Sequence, residues 1–298
     1  QGSPMLGADV CLEGFGEQQQ QSYTKEQEEH MLQEAVQAAE EADIVVLAIG
    51  EDRLQSGEAT SNANIRIPEV QEALLDRIAE VNQNIVVVLF SGRPLDIREI
   101  DKKAKAILQV WLPGTEGARA IADTLFGKYN PSGKLPMSFP YCVGQVPVHY
   151  NEYSTGRPHV EGKDKDRFRS KYLDIPNEPL YPFGYGLSYT TFEVSDIHLN
   201  RTWMDTSGQI EAEVTVKNTG NCTGTETLQL YIHDIAASVV RPVRELKDFK
   251  KVTLRPGEEK KVVFTITEQQ LLFLTENGIY ESEAGEFEIF IGKDSSTD

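Results

Sequence analysis

The sequence lacks long apolar runs, dense cysteine and an excess of positive charge, and each lack excludes a class of protein. None of its apolar stretches approaches the roughly 20 residues that a membrane-spanning helix requires. Its 47 acidic residues outnumber 29 basic ones, for a formal net charge of −18, whereas nucleic-acid binding depends on Lys and Arg that neutralise phosphates. We therefore expect no membrane span and no nucleic-acid partner.

Cysteine and histidine are too sparse for a disulfide framework or a metal centre. Cys11, Cys142 and Cys222 lie far apart in the chain and form no CxxC pair. At most one disulfide can join two of them, and the sequence leaves their redox state open. The five histidines are isolated and form no HExxH-like array. We predict no metal and no other cofactor.

The first part of the chain alternates between apolar runs and helical patterns. Continuous apolar runs predict strands at residues 44–49, 85–90 and 106–111. Helical spacing predicts a helix after a capping box formed by Thr24 and Gln27, a helix that opens at Pro68 and a helix over residues 115–126. Strands that are apolar on both faces and separated by helices indicate an α/β domain with a mainly parallel sheet.

Beyond residue 192 the hydrophobic period changes to two. Alternation predicts strands at residues 211–216, 228–232, 261–266 and 287–291. This pattern is typical of an antiparallel β-sandwich. Residues 141–192 have no sustained period but are rich in aromatics, which favours an ordered segment wrapped on the domains. The predicted division is an α/β sandwich domain at 1–140, this linking segment at 141–192, and an all-β sandwich at 193–298.

The loop over residues 51–67 is the most unusual feature of the α/β part. It leaves the carboxyl end of a predicted parallel strand, where ligands bind in such sheets, and it is several times longer than the usual 2–6 residues. Glu58 lies at its centre among small polar residues, so this carboxylate can be presented to a ligand. Glu51 and Asp52 are equally plausible acids on chemistry alone, and a loop glutamate is by default only a solvated carboxylate.

The chain resembles the second and third domains of the family-three glycoside hydrolases over nearly its whole length. The motifs of the second domain are, in order, Gly50-Glu51, residues 56–59 (SGEA), Ile67-Pro68, residues 88–95 (VLFSGRPL), 111–114 (WLPG), 130–140 (NPSGKLPMSFP), 155–158 (TGRP) and 179–192 (PLYPFGYGLSYTTF). The sandwich is similar to the fibronectin type III-like third domain of the family in residues 216–220 (VKNTG), 229–231 (QLY) and 256–258 (PGE).

This resemblance implies the carboxyl-terminal portion of a retaining exo-β-glycosidase, similar to bacterial periplasmic β-glucosidases. Such enzymes remove terminal β-D-glucosyl residues from glucosides and gluco-oligosaccharides, and β-xylosidase is the alternative activity within the family. The family's nucleophilic aspartate lies on an amino-terminal barrel that this chain does not contain. The position that matches its general acid/base glutamate is Glu58. We therefore expect the chain alone to be inactive, and the whole protein to be periplasmic or secreted.

Two positions depart from the family pattern, and the domain is expected to be incomplete at its amino terminus. Asn62 occupies a place where the family often has Arg, which puts in doubt how the loop is held. Glu69 replaces a common Gly, a change that suits the first turn of a helix. Residues 8–12 fit the second strand of the family's domain, so its first strand and helix are expected to be missing and the sheet incomplete at its amino terminus.

Substrate-binding residues are not identified by the sequence, and the loop candidates are Glu51, Ser56 and Arg169. Two other classes compete with the enzyme. A non-catalytic carbohydrate-binding or adhesion module would bind sugar without the barrel. A nucleotide-binding fold is disfavoured because no G-x-G-x-x-G follows the first strand. The oligomeric state cannot be derived from the sequence.

Overall fold

The computed structural model describes residues 2–5, 23–52, 55–160, 162 and 166–297. The strand predicted at residues 8–12, and with it Cys11, lies outside the described residues. The chain divides into two compact units. The first unit holds Gln1–Ala122 with Phe139–Val146, and the second holds Asp123–Ser138 with Pro147–Asp298. The domain boundaries predicted at residues 140 and 192 differ from this division and stay predictions.

The first unit is an α/β structure built on a three-stranded parallel sheet. Its elements in chain order are α1 Lys25–Glu40, β1 Val45–Gly50, α2 Glu69–Val81, β2 Ile85–Phe90, α3 Arg98–Lys103, β3 Ala106–Gln109 and α4 Gly117–Leu125, the last of which begins in this unit. The strand order is β1-β2-β3, with Val45 opposite Ile85 and Val86 opposite Ala106. The predicted fold class and its parallel sheet are thereby confirmed. None of the described helices is both long and apolar enough to cross a bilayer.

The helices and strands of this unit follow the predicted pattern with local differences. The capping box of α1 is present, since Thr24 Oγ1 accepts from Gln27 N at 3.2 Å and Gln27 Oε1 accepts from Thr24 N at 2.8 Å. Strand β3 ends before Trp111 because this residue has φ +52°, outside the β region. Helix α3 was not predicted, because six residues with a single buried side chain, Ile100, show no helical period.

The second unit contains an antiparallel β-sandwich. Its elements in chain order are β4 Phe192–Val194, β5 His198–Leu199, β6 Gln209–Asn218, β7 Gly224–Asp234, β8 Glu245–Leu254, β9 Glu259–Thr267, α5 Glu268–Leu271, β10 Phe273–Leu274, β11 Tyr280–Glu281 and β12 Phe287–Gly292. One sheet has the order β12-β7-β8. In the other, β6 pairs with β4 and β5 and also with β9. The predicted sandwich is confirmed.

The core of the sandwich comes from inward-facing residues of both sheets. Fully buried examples are Val216, Leu228, Leu230, Leu254 and Phe264. Strand β8 was not predicted, since in most of its length lysine and acidic residues hide the alternation, and its buried hydrophobic positions come only at its end.

Residues between the predicted domains also pack in the second unit. The Tyr150 ring stacks on Phe183 at a centroid distance of 4.3 Å and meets Tyr231 edge-on at 5.8 Å. Tyr231 is fully buried, and this burial raises the pKa of its phenol. Its hydroxyl donates to Gln229 Oε1 at 2.5 Å, so the buried polar group is satisfied.

The thiols of Cys142 and Cys222 are free. Cys142 belongs to the first unit and Cys222 to the second.

Asn218, at the end of β6, is the polar centre of the sandwich. Its side chain is fully buried and accepts from Thr190 Oγ1 at 2.7 Å and from Gly220 N at 3.1 Å. Its amide donates to Cys222 O at 2.8 Å and to Leu254 O at 3.0 Å. One side chain therefore holds the turn after β6, the end of β8 and the segment before β4 together.

We expect Asn218→Ala to destabilise the sandwich by about 2–4 kcal/mol, because several buried polar groups lose their partners at once. Native-state hydrogen exchange of the β6 and β7 amides measures this loss. The matched control is Asn200→Ala, an exposed residue whose Oδ1 accepts one bond from Glu211 N at 2.9 Å. A loss at Asn218 no larger than the loss at Asn200 would contradict this account.

Candidate functional site

The candidate site lies at the carboxyl edge of the parallel sheet in the first unit. Strand β1 ends at Gly50, which has φ +145°, and a Cβ built there would lie 1.8 Å from Phe90 O. Only glycine fits such a close approach of two backbones. The next residue, Glu51, donates its N–H to Phe90 O at 2.9 Å. The chain therefore leaves the sheet with Glu51 directly beside the end of β2.

Helix α2 fixes the same strand end from the other side. Gln71 is 2% exposed, and its side chain accepts from Gly50 N at 2.7 Å and donates to Gly50 O at 3.0 Å. This side chain therefore satisfies both backbone polar groups of the last residue of β1. The point from which the long loop departs is held rigidly.

The predicted oversized loop is confirmed. No helix or strand lies between Gly50 and Glu69 in the part of the loop that the structure describes, residues 51–52 and 55–68. A connection of this length normally needs internal contacts to hold one conformation. The loop has such contacts, and they begin at Glu51.

Glu51 is a buried acid whose carboxylate is engaged by its own surroundings. Its side chain is 3% exposed, and its Oε1 lies 3.0 Å from Arg93 Nε. The Nε–H is not aligned for a hydrogen bond within the described chain, so this contact is ionic. Gly92 N donates to Oε2 at 3.2 Å and Asn62 Nδ2 donates to Oε1 at 3.4 Å. Both oxygens of this candidate residue are thus already bound by protein groups.

Arg93 and Asn62 join the two limbs of the loop. Arg93 Nη2 donates to Gln55 O on one limb and to Thr60 O, at 3.4 Å, on the other. Asn62 Nδ2 also donates to Gln55 O, at 3.2 Å. The doubt that Asn62 raised about how the loop is held is resolved by these bonds.

Glu58 lies at the tip, between the two limbs. The turn around it is closed by Thr60, whose N–H and hydroxyl both reach Gly57 O, at 3.4 and 2.7 Å. Gly57 has φ +129° and Ala59 has φ +59°, a backbone that turns sharply on both sides of the glutamate. The Glu58 side chain is exposed, and no hydrogen bond or ion pair joins it to any residue in the described part of the chain. Its carboxylate faces solvent.

The two remaining candidates occupy different places. Ser56 is half-buried, and its Oγ lies 1.7 Å from the point where a Cβ of residue 92 would be, so this limb packs on Gly92. Arg169 belongs to the second unit, where its Nε lies 3.0 Å from Asp166 Oδ2 and its Nη1 donates to Pro158 O at 3.0 Å. The structure brings Glu51, Ser56 and Glu58 into one loop, whereas Arg169 is bound within its own segment.

Most of the residues that hold the loop are not predictable from the sequence. Gln55 and Thr60 act through backbone carbonyls, which leave no pattern in a sequence. Gln71 did leave one, because it lies on the same face of α2 as the buried Leu74 and Ile78. A polar residue within an apolar stripe predicts a buried hydrogen-bonding role.

Comparison with known families agrees with this architecture. The family described as glycosyl hydrolase family 3 C-terminal domain matches residues 7–189, more than half of the chain. The chain belongs to glycosyl hydrolase family 3. A fibronectin type III-like domain matches residues 226–295, within the sandwich.

Relatives and solved structures of family 3 share both parts. A protein named periplasmic beta-glucosidase from Salmonella typhimurium is 49% identical over 89% of this chain and 35% of its own length. A beta-xylosidase from Formosa agariphila is 40% identical over 89% of this chain and 36% of its own. The beta-glucosidase from Listeria innocua, solved in complex with glucose, superposes with a TM-score of 0.86 at 42% identity, covering 93% of this chain and 38% of that one. The chain thus spans little more than a third of their lengths.

We expect Gly50→Ala to destabilise the first unit by at least about 3 kcal/mol, because it adds a backbone clash to an unfavourable φ. Gly57→Ala is the matched control, since it has a similar φ but no atom within 4 Å of the new Cβ, and should cost only about 1–2 kcal/mol. Urea unfolding followed by Trp111 fluorescence, in a Trp203→Phe background, isolates the first unit, because the chain has 2 tryptophans, one in each unit. Equal losses at the two glycines would contradict the role of the clash.

Proposed function

We propose that this chain is the carboxyl-terminal portion of a retaining exo-β-glycosidase of the β-glucosidase type, and that Glu58 is its general acid/base. The observation that carries the proposal is the contrast between the two glutamates of the loop. Glu51 is buried and bound by Arg93, whereas Glu58 is exposed, unpaired within the described residues, and held on a braced turn. Within a family of glycosyl hydrolases, an exposed acid with no partner among the described residues of the loop is suited to meet a substrate, and Glu58 is such an acid.

The chemistry requires a second carboxylate from outside this chain. Retaining enzymes place two carboxyl groups about 5–5.5 Å apart across the glycosidic bond. In the first step Glu58 would protonate the departing oxygen while a nucleophilic aspartate of the amino-terminal barrel attacks the anomeric carbon. In the second step Glu58 would take a proton from water, which hydrolyses the glycosyl-enzyme. This mechanism uses no metal or cofactor, and the proposal includes none.

Names of relatives support a glucoside as the substrate. The Salmonella typhimurium relative is named a beta-glucosidase, and the Listeria innocua enzyme has been solved with glucose and, as a mutant, with laminaribiose. We therefore propose a β-linked glucoside or gluco-oligosaccharide, bound between this chain and the barrel. The Formosa agariphila relative favours β-xylosidase as the second candidate. The periplasmic name of one relative supports a periplasmic or secreted location.

The first test is Glu58→Ala in the whole protein, in which this chain is joined to its barrel. We expect kcat/KM for an alkyl β-glucoside to fall by about 10²–10⁴-fold, because its leaving group needs a proton. A 2,4-dinitrophenyl β-glucoside needs none, so its glycosylation step should be nearly preserved. Azide should then restore turnover and yield a β-glucosyl azide, because this anion attacks without general-base help.

Glu80→Gln is the matched control, since it changes another exposed glutamate of the same unit, on α2. It should leave kinetics on both substrates unchanged. A Glu58→Ala enzyme that loses activity equally on both substrates, with no azide product, would show that Glu58 is not the acid/base. The same two substrates with xylose in place of glucose decide between β-glucosidase and β-xylosidase.

The second test uses the chain alone. We expect no β-glucosidase or β-xylosidase turnover and no measurable glucose binding by calorimetry, because the nucleophile and the barrel side of the cleft are absent. Turnover that Glu58→Ala abolishes would overturn the two-part mechanism. Strong sugar binding without turnover would favour a carbohydrate-binding module instead.

A further inference from the structure

We propose that Arg93 is a positioning residue for the Glu58 carboxylate, acting through the backbone of the loop. The inference rests on the proposed function of Glu58 and goes beyond it by naming what holds the acid in place. Arg93 belongs to the strand end after β2, and not to the loop that it organises. It does not reach Glu58 itself, so any effect on proton transfer must pass through the main chain.

The contacts of Arg93 bracket the glutamate in sequence. Its Nη2 binds the carbonyl of Gln55, three residues before Glu58, and the carbonyl of Thr60, two residues after it. A single nitrogen therefore ties the two limbs of the turn together. Because no described residue holds the Glu58 side chain directly, its direction depends on this backbone frame.

The charge of Arg93 is itself fixed in place. Its Nε lies 3.0 Å from the buried carboxylate of Glu51, and the preceding residue, Gly92, donates its N–H to the other oxygen of that carboxylate at 3.2 Å. A guanidinium is planar and presents several donors in a rigid fork, so its Nε can lie beside Glu51 while Nη2 donates to the carbonyls. Lysine would keep the charge but has no such fork.

Asn62 completes the frame from the far limb. It donates to the same Gln55 carbonyl at 3.2 Å and to Glu51 Oε1 at 3.4 Å. Asn62 lies on the same limb as Thr60, so without Arg93 it would still join the two limbs at Gln55. The turn nearer Glu58 would nevertheless lose the bond that Arg93 donates to the Thr60 carbonyl.

Proton transfer is sensitive to such a release. A general acid must lie within hydrogen-bond reach of the leaving oxygen, and a misplacement of about 1 Å can cost about 100-fold in rate. A loss of kcat/KM, which reports the glycosylation step, should appear only where the leaving group needs a proton. This dependence separates a positioning role from a general loss of folding.

The experiment measures kcat and KM of Arg93→Gln and Arg93→Lys in the whole protein, on the alkyl and 2,4-dinitrophenyl β-glucosides. We expect Arg93→Gln to lower kcat/KM for the alkyl glucoside by about 10- to 100-fold, mainly through kcat. For the dinitrophenyl glucoside, kcat/KM reports a glycosylation step that needs no proton and should change by less than about threefold, while kcat should fall because deglycosylation still needs Glu58 as a base. Arg93→Lys should lie between Arg93→Gln and the unchanged enzyme. Hydrogen exchange of the amides at residues 57–60 should accelerate in both variants.

Arg98→Gln is the matched control for the loss of an ion-paired arginine. Arg98 lies close in sequence, binds Asp96 at 2.8 Å and has a side chain that is 35% exposed, against 25% for Arg93. This variant should leave the ratio of the two substrate rates unchanged. If Arg93→Gln does not fold, the comparison of Arg93→Lys with Arg98→Lys carries the test.

Equal losses of kcat/KM on both substrates, or no loss of kcat/KM on either, would overturn the proposal. A selective loss in Glu58→Ala without one in the Arg93 variants would reject the positioning role alone. No selective loss in Glu58→Ala would reject the proposed function and the positioning role together. The two failures are therefore distinguishable.

Discussion

The ion pair between Glu51 and Arg93 is the interaction on which the site depends. It exists because neighbouring parallel strands end at the same edge of a sheet, which places the residues after Gly50 and after Phe90 side by side. A buried carboxylate is costly unless it is paired and hydrogen-bonded. Here the Glu51 carboxylate is bound by the Arg93 guanidinium, the Gly92 N–H and the Asn62 side chain. The same guanidinium also donates to backbone carbonyls of the loop. Satisfying one buried charge thus organises a segment that has no regular secondary structure.

Glu51 and Glu58, seven positions apart, consequently differ in what their carboxylates can bind. Glu51 is enclosed and bound on both oxygens, so it serves the fold. Glu58 is turned outward by a tight backbone and is left without a partner among the described residues. The two side chains are chemically identical, and they differ only in burial and in the direction of the backbone that carries them. The division is typical of sites in which rigid elements support an exposed reactive group.

The sequence predicted what depends on hydrophobic period and missed what depends on single polar contacts. The run at Ile85–Phe90 was predicted to the residue, because a central parallel strand is apolar throughout. Strand β8 was missed because charged residues mask its hydrophobic period. The third strand was predicted to extend to Trp111, but it ends before this residue, whose positive φ cannot be read from the hydrophobic pattern. The oversized loop was visible from its length, and the family resemblance picked Glu58 within it. The hydrogen bonds that hold the loop could not be predicted, because they are accepted by backbone carbonyl groups, which every residue has.

The bracing of the loop by main-chain carbonyls has a consequence for how such proteins can diverge. Arg93 binds the backbone at residues 55 and 60 and is indifferent to the side chains that those residues carry. A change of side chain that leaves these two carbonyls in place would therefore leave both bonds intact, whereas Gly57 and the Thr60 hydroxyl stay constrained by the turn itself. The path of this loop thus depends on main-chain positions more than on the side chains at residues 55 and 60, so sequence variation at these two positions is compatible with one loop conformation.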